Sequence, residues 1–119
     1  MIVAVVGSRG LSGPDFSLFL PKNTRKIVSG GAKGIDSAAV EYAKEHGLAF
    51  EEILPEYEKY GRAAPIKRNR DIVLSADLVL IFWDGVSRGT KSSLELCKKE
   101  KRRYKLFLWR SEGYFEEEP

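Results

Sequence analysis

Two unbroken apolar runs constrain this chain more than any other feature. Ile2–Val6 and Leu78–Trp83 carry no charged or hydroxyl side chain, so neither shows the alternation of a strand with one wet face. Strands of this kind are buried on both sides, as in parallel sheets covered by helices on both faces. Both runs are far too short to cross a bilayer. Met1–Val6 leads straight into Gly7, without the basic start, long apolar stretch and cleavage site of a signal peptide. With one cysteine, Cys97, no internal disulfide is possible, and the expected location is the cytoplasm.

Three further runs read as strands: Lys26–Ser29, Leu48–Leu54 and Tyr104–Trp109. The last carries a charge near its start and is expected at a sheet edge. Helical patterns separate the runs. Ile35, Ala38, Ala39, Tyr42 and Ala43 follow helical spacing, with Gly47 as the stop. Ala64–Ala76 and Thr90–Arg103 are two more helices, and Gly13-Pro14-Asp15 opens a short one near Pro14–Leu20. Strands alternating with helices imply right-handed crossovers. The expected fold is α/β, a doubly wound parallel sheet of five strands. At 119 residues the chain is one domain, occupying 1–110, with 111–119 left as an acidic C-terminal tail ending in Glu116-Glu117-Glu118-Pro119.

In such sheets ligands bind beyond the carboxyl ends of the strands, and glycine-bearing loops fall at three of those ends. The first strand leads into Gly7-Ser8-Arg9-Gly10. The second leads into Ser29-Gly30-Gly31-Ala32-Lys33-Gly34-Ile35-Asp36, and the fourth into Asp84-Gly85-Val86-Ser87-Arg88-Gly89-Thr90. Glycine lets several backbone N–H groups converge on one anion, and helices starting near Ile35 and Thr90 add the positive ends of their dipoles. Arg9, Lys33 and Arg88 supply formal charge. A phosphate-bearing nucleotide is the ligand class this pattern suits; the plainer alternative is that each glycine only turns the chain. No G-x-x-x-x-G-K-[ST] occurs, and Gly30–Gly34 has the wrong spacing for a dinucleotide fingerprint.

Asn69 falls on the stripe of Ile66, Ile72, Val73 and Ala76. A buried amide left unpaired costs about 1–3 kcal/mol, so it needs a partner, either a loop carbonyl or a ligand. Arg68 beside it is a surface charge or a ligand contact. Asp36 either complements its helix dipole or bonds a ribose hydroxyl. His46 reads as an end charge or cap, Cys97 as core, and Trp83 as packing. Tyr57 and Tyr60 lie in a polar loop that is an ordinary connection or a lid over a base. Glu51 and Glu52 are expected to face solvent. One histidine and one cysteine leave no metal constellation and no nucleophilic triad, so no catalytic residue, metal or cofactor is expected. The absence of glutamine beside abundant Lys, Arg and Glu fits a heat-adapted source.

Val6-Gly7-Ser8-Arg9, Ser29–Asp36, Lys67-Arg68-Asn69-Arg70 and Ser87-Arg88-Gly89-Thr90 together resemble the SLOG superfamily. That group includes the lonely-guy cytokinin-activating enzymes and the DNA-processing protein DprA; the small stand-alone YspA-like branch looks most similar. The resemblance implies a Rossmann-like sheet of strand order 3-2-1-4-5, homo-oligomers, and a nucleotide-derived ligand with Gly30, Gly31, Gly34, Gly89 and Thr90 at its phosphate. Gly7, Ser8, Arg9, Lys33, Asp36, Arg68, Asn69, Asp84 and Ser87 complete the expected ligand-binding set. The lonely-guy motif P-G-G-x-G-T-x-x-E is incomplete here. Ser93 stands at the glutamate position, and Glu95 lies two residues on, turned by about 200° around the helix. Two rival readings remain. Cleavage of a nucleoside monophosphate at its N-glycosidic bond would use Asp84 and Arg68. Binding of single-stranded DNA would use Arg68, Arg70 and the Lys98–Arg103 cluster, although a net charge of +3 is small for that task.

Overall fold

A computed structural model describes residues 1–117. Its strands are β1 (Ile2–Gly7), β2 (Lys26–Ser29), β3 (Ala49–Glu52), β4 (Leu78–Trp83), β5 (Tyr104–Arg110) and β6 (Gly113–Glu117). Its helices are α1 (Ile35–Glu45), the single turn α2 (Tyr57–Tyr60), α3 (Ala64–Ser75) and α4 (Arg88–Lys99), with 3₁₀ turns at Phe16–Leu18 and Gly61–Ala63. Among the described residues the sheet has six strands in the order β3-β2-β1-β4-β5-β6. The first five are parallel, and β6 runs antiparallel to β5.

The doubly buried runs sit at the centre, paired from Val3↔Leu78 to Gly7↔Phe82. Val3, Val5, Leu78, Leu80 and Phe82 face one core with Ile35, Ala39 and Ala43 of α1. Ala4, Val6, Val79 and Ile81 face the other with Ile72 and Val73 of α3 and Leu94 and Cys97 of α4. Period-two alternation along each strand therefore divides one apolar run between two cores. Cys97 is fully buried, and burial pushes its thiol up to about 11.

Helix ends follow local chemistry. After α1 the Leu48 N–H bonds the Ala43 carbonyl at 2.9 Å around Gly47 at φ 68°, a Schellman turn that glycine adopts without a Cβ penalty. His46 adds an Nδ1 contact of 3.0 Å to the Tyr42 carbonyl and stacks on that ring. The start near Pro14 is a 3₁₀ turn, capped by the Asp15 carboxylate on Ser17 N–H at 3.1 Å.

Four expectations change. β5 is not an edge, because β6 covers it. The segment read as a tail from 111 is in part this strand; Glu116 and Glu117 pair with Phe107 and Leu106, while Glu118 and Pro119 lie outside the described residues. The connection uses Ser111 and Glu112, both at positive φ, a conformation usually marked by Asn-Gly. Tyr114 secures the strand by donating to the Ser12 carbonyl at 2.6 Å. The third change is α2, a helical turn where a loop was expected. β3 is shorter than expected, and Glu51 and Glu52 are exposed on it.

Candidate functional site

A cavity of about 390 Å³ opens at the carboxyl rim of the parallel strands. It is lined by Gly7, Ser8, Arg9 and Gly10 after β1, Gly30 and Ala32 after β2, and Asp84 and Ser87 after β4. Helices contribute Asp36 of α1, Pro65, Arg68, Asn69 and Ile72 of α3, and Gly89, Thr90 and Ser93 of α4. The three glycine-bearing turns thus meet at one place, as their positions after parallel strands dictate. Gly7 permits the close approach: a Cβ there would lie 2.5 Å from Ile35 Cγ1 and 2.7 Å from the Phe82 carbonyl.

The turns are not equally open to a ligand. After β4 the Asp84 carboxylate accepts from Val86 N–H at 2.9 Å and Ser87 N–H at 2.8 Å, so those amides are occupied. Burial pushes the Asp84 carboxyl up, but the bonds from Ser87, Val86 and Ser8 outweigh it and hold the group below the usual value. Asp84 is a loop cap, which leaves it poorly suited to the acid–base role considered above. Ser8 is likewise engaged: its hydroxyl lies 2.6 Å from Ser87 Oγ and accepts from Asp84 N–H at 3.1 Å.

Free donors lie one step further, at the start of α4. Its first intrahelical bond runs from Lys91 N–H to the Ser87 carbonyl, and no side chain caps the end. The N–H groups of Arg88, Gly89 and Thr90 therefore lack intrahelical acceptors, and Gly89 and Thr90 border the cavity. The buried hydroxyl residues Thr90 and Ser93 stand beside them. Ser93 was seen in the sequence only as a substitution for the lonely-guy glutamate. Glu95 is exposed and within 4.0 Å of Lys91, consistent with the turn counted from the sequence.

On the other side of β1 the loop after β2 is filled by the protein itself. Asp36 is 6% exposed, and its Oδ2 accepts from Ala32 N–H at 3.3 Å. Burial raises its carboxyl to about 6, against the lowering effects of the Ala32 amide, the Arg68 charge and the amides of Gly30 and Gly7. Expected phosphate contacts therefore need correction. Gly31, Lys33 and Gly34 do not line the cavity. Lys33 is exposed, Gly31 turns at φ 74° against Leu54, and Gly34 turns at φ 77° against the carbonyls of Arg9 and Leu11. These last two glycines shape the loop.

Arg68 is half-buried, and its guanidinium bonds neutral acceptors, the Gly30 carbonyl at 2.7 Å and Asn69 Oδ1 at 2.9 Å. Among the described residues no carboxylate lies within ion-pair distance of it. The Asn69 oxygen finds its donor in this neighbour, whereas a loop carbonyl or a ligand acceptor would pair with its amide nitrogen. Ile66, placed on the inward stripe from the sequence, is 60% exposed. The stripe instead runs through Pro65, Arg68, Asn69, Ile72, Val73 and Ala76, and its first half lines the cavity. Pro65, Ala32 and Ser93 were missed as lining residues; their small or apolar side chains give no chemical signal in a sequence. Tyr57, Tyr60 and Trp83 do not line the cavity. Trp83 Nε1 donates to the Ser87 carbonyl at 2.9 Å, tying down the loop after β4.

The Lys98–Arg103 cluster follows the C-terminal part of α4 and leads into β5, on the rim opposite the cavity. Arg102 there donates to the Ala76 carbonyl at 2.7 Å, which closes the end of α3. No described helix is long and apolar enough to cross a membrane. Comparison with family models, curated proteins and solved structures gives no match.

Proposed function

We propose that this protein binds a nucleotide, or a phosphate ligand derived from one, in the rim cavity between β2, β1 and β4. One observation carries the reading: a guanidinium with no carboxylate within ion-pair distance among the described residues and an uncapped helix N-terminus border the same 390 Å³ cavity. That volume lies within the usual range for small-ligand sites. The phosphate sits against the N–H groups of Gly89 and Thr90, with Arg68 as the counter-charge. Arg9 and Asn69 stand at the sugar and base. This moves the anion from the glycine loop after β2 to α4, because Asp36 already occupies the former. The five parallel strands in the order 3-2-1-4-5, with helices on both faces, support a Rossmann-like reading and the SLOG resemblance. Homo-oligomers belong to the same reading and are measured by light scattering.

Native mass spectrometry of freshly purified protein tests the proposal, with a retained nucleotide as the expected result. A thermal-shift panel of nucleotides is the second arm. Arg68→Ala is expected to weaken the best binder about tenfold to a hundredfold, the worth of a charge-assisted hydrogen bond. No retained mass together with no stabilisation by any nucleotide would end the reading.

A further inference from the structure

Asp36 and Arg68 stand over the same glycine with opposite charges and form no ion pair. A Cβ at Gly30 would lie 2.9 Å from Asp36 Oδ2 and 3.0 Å from Arg68 Nη1, so the two groups share the place a side chain would fill. Nη1 donates to the Gly30 carbonyl at 2.7 Å, and Nε donates to Asn69 Oδ1 at 2.9 Å. Asp36 Oδ2 accepts from Ala32 N–H, and Oδ1 is buried without a partner. No salt bridge joins the carboxylate to the guanidinium. The two therefore act on each other through their fields, across the backbone of Gly30.

Other charges stand around the same rim. Arg9 and Asp84 line the cavity from the loops after β1 and β4, and Glu52 reaches Gly31 from the end of β3. Lys33, in the same loop as Gly30, is exposed. The charge that lowers the Asp36 carboxyl is that of Arg68, and burial outweighs it, leaving the group to titrate near 6. Asp84 is held below the usual carboxylate range by its own loop and keeps its charge throughout. An anion at the start of α4 draws on the Arg68 charge and repels the Asp36 carboxylate without touching it. Binding thus favours the protonated carboxyl, and by reciprocity a proton on Asp36 favours binding.

We infer that Asp36 regulates the anion site through its proton, admitting the ligand phosphate when neutral and weakening its hold when ionised. Affinity is then highest below about pH 6 and falls as pH rises through the carboxyl midpoint. This rests on the nucleotide-binding reading above and adds its regulation. Its test is calorimetric titration of inorganic sulfate into the whole chain at pH 5 and pH 8, at equal ionic strength. Sulfate keeps its charge over this range, whereas a phosphate ester gains one near about pH 6. Wild type is expected to bind sulfate about tenfold more weakly at pH 8, the equivalent of roughly one pH unit in the Asp36 midpoint. Asp36→Asn, neutral and of the same shape, is expected to bind at both pH values as tightly as wild type does at pH 5. Carboxyl-carbon NMR of wild type reads the reciprocal effect without any variant: saturating sulfate should raise the Asp36 midpoint by about one pH unit. Equal sulfate affinity of wild type at the two pH values, the same fall in Asp36→Asn, or an unmoved midpoint would overturn the inference and leave nucleotide binding standing. Sulfate binding at neither pH would instead remove the anion site, and the nucleotide reading with it.

Discussion

Asp36 and Asp84 stand on opposite sides of β1 at the same rim, and both accept backbone N–H groups. Asp84 takes two well-placed bonds near solvent and titrates below the usual carboxylate range. Asp36 takes one long bond in a buried position and titrates near 6. The same side chain closes one loop and leaves the other under electrostatic stress. What separates them is the balance of desolvation against donors.

The largest expected effect tests the stress directly. The folded state holds a proton on Asp36 between about pH 4 and about pH 6, where the unfolded chain has released it. Stability from this group is therefore highest below about pH 4, falls as pH rises through the window, and is lowest above about 6. The difference approaches about 3 kcal/mol for a shift of roughly two units. Denaturant titrations across pH 4–7 should show this fall, and Asp36→Asn should flatten it. Equal slopes in the two proteins would break the contrast.

Asp84→Ala strips the acceptor from Val86 and Ser87 and should cost about 1–2 kcal/mol, read by chemical denaturation. Ser8→Ala removes a partner of Asp84 N–H and Ser87 Oγ, and should cost about 1 kcal/mol in the same measurement. Arg68→Ala gives the smallest effect. Losing a charge that lowers the Asp36 carboxyl should move its midpoint further up, followed by NMR titration of the side-chain carboxyl carbon.

Local pattern revealed some of this and hid the rest. Lys26–Ser29 and Leu78–Trp83 were bounded correctly because breakers flank continuous β-forming runs. β6 was missed because Gly113–Glu117 is rich in acid and its turn uses Ser-Glu in place of Asn-Gly. Its stability comes from pairing with the adjacent strand β5 and from Tyr114 on Ser12, the latter a contact distant in sequence. Arg68 stayed divided between surface charge and ligand contact for a similar reason. A shift of the α3 stripe by one residue moves Ile66 outward and brings Arg68 in, and helical periodicity over 12 residues with few apolar positions does not resolve that shift.

The sequence by itself determined the order of the first five strands and the three long helices, the doubly buried centre of the sheet and the rim where its loops gather. Those follow from side-chain periodicity and from the direction of parallel crossovers, which are local or nearly so. Only the tertiary structure decided which amides at that rim stay free. Asp84 satisfies its own loop, Asp36 fills the one after β2, and the start of α4 is left uncapped. Hydrogen-bond occupancy depends on where a carboxylate ends up in space and on how much water it loses on the way, and neither is written in residue spacing.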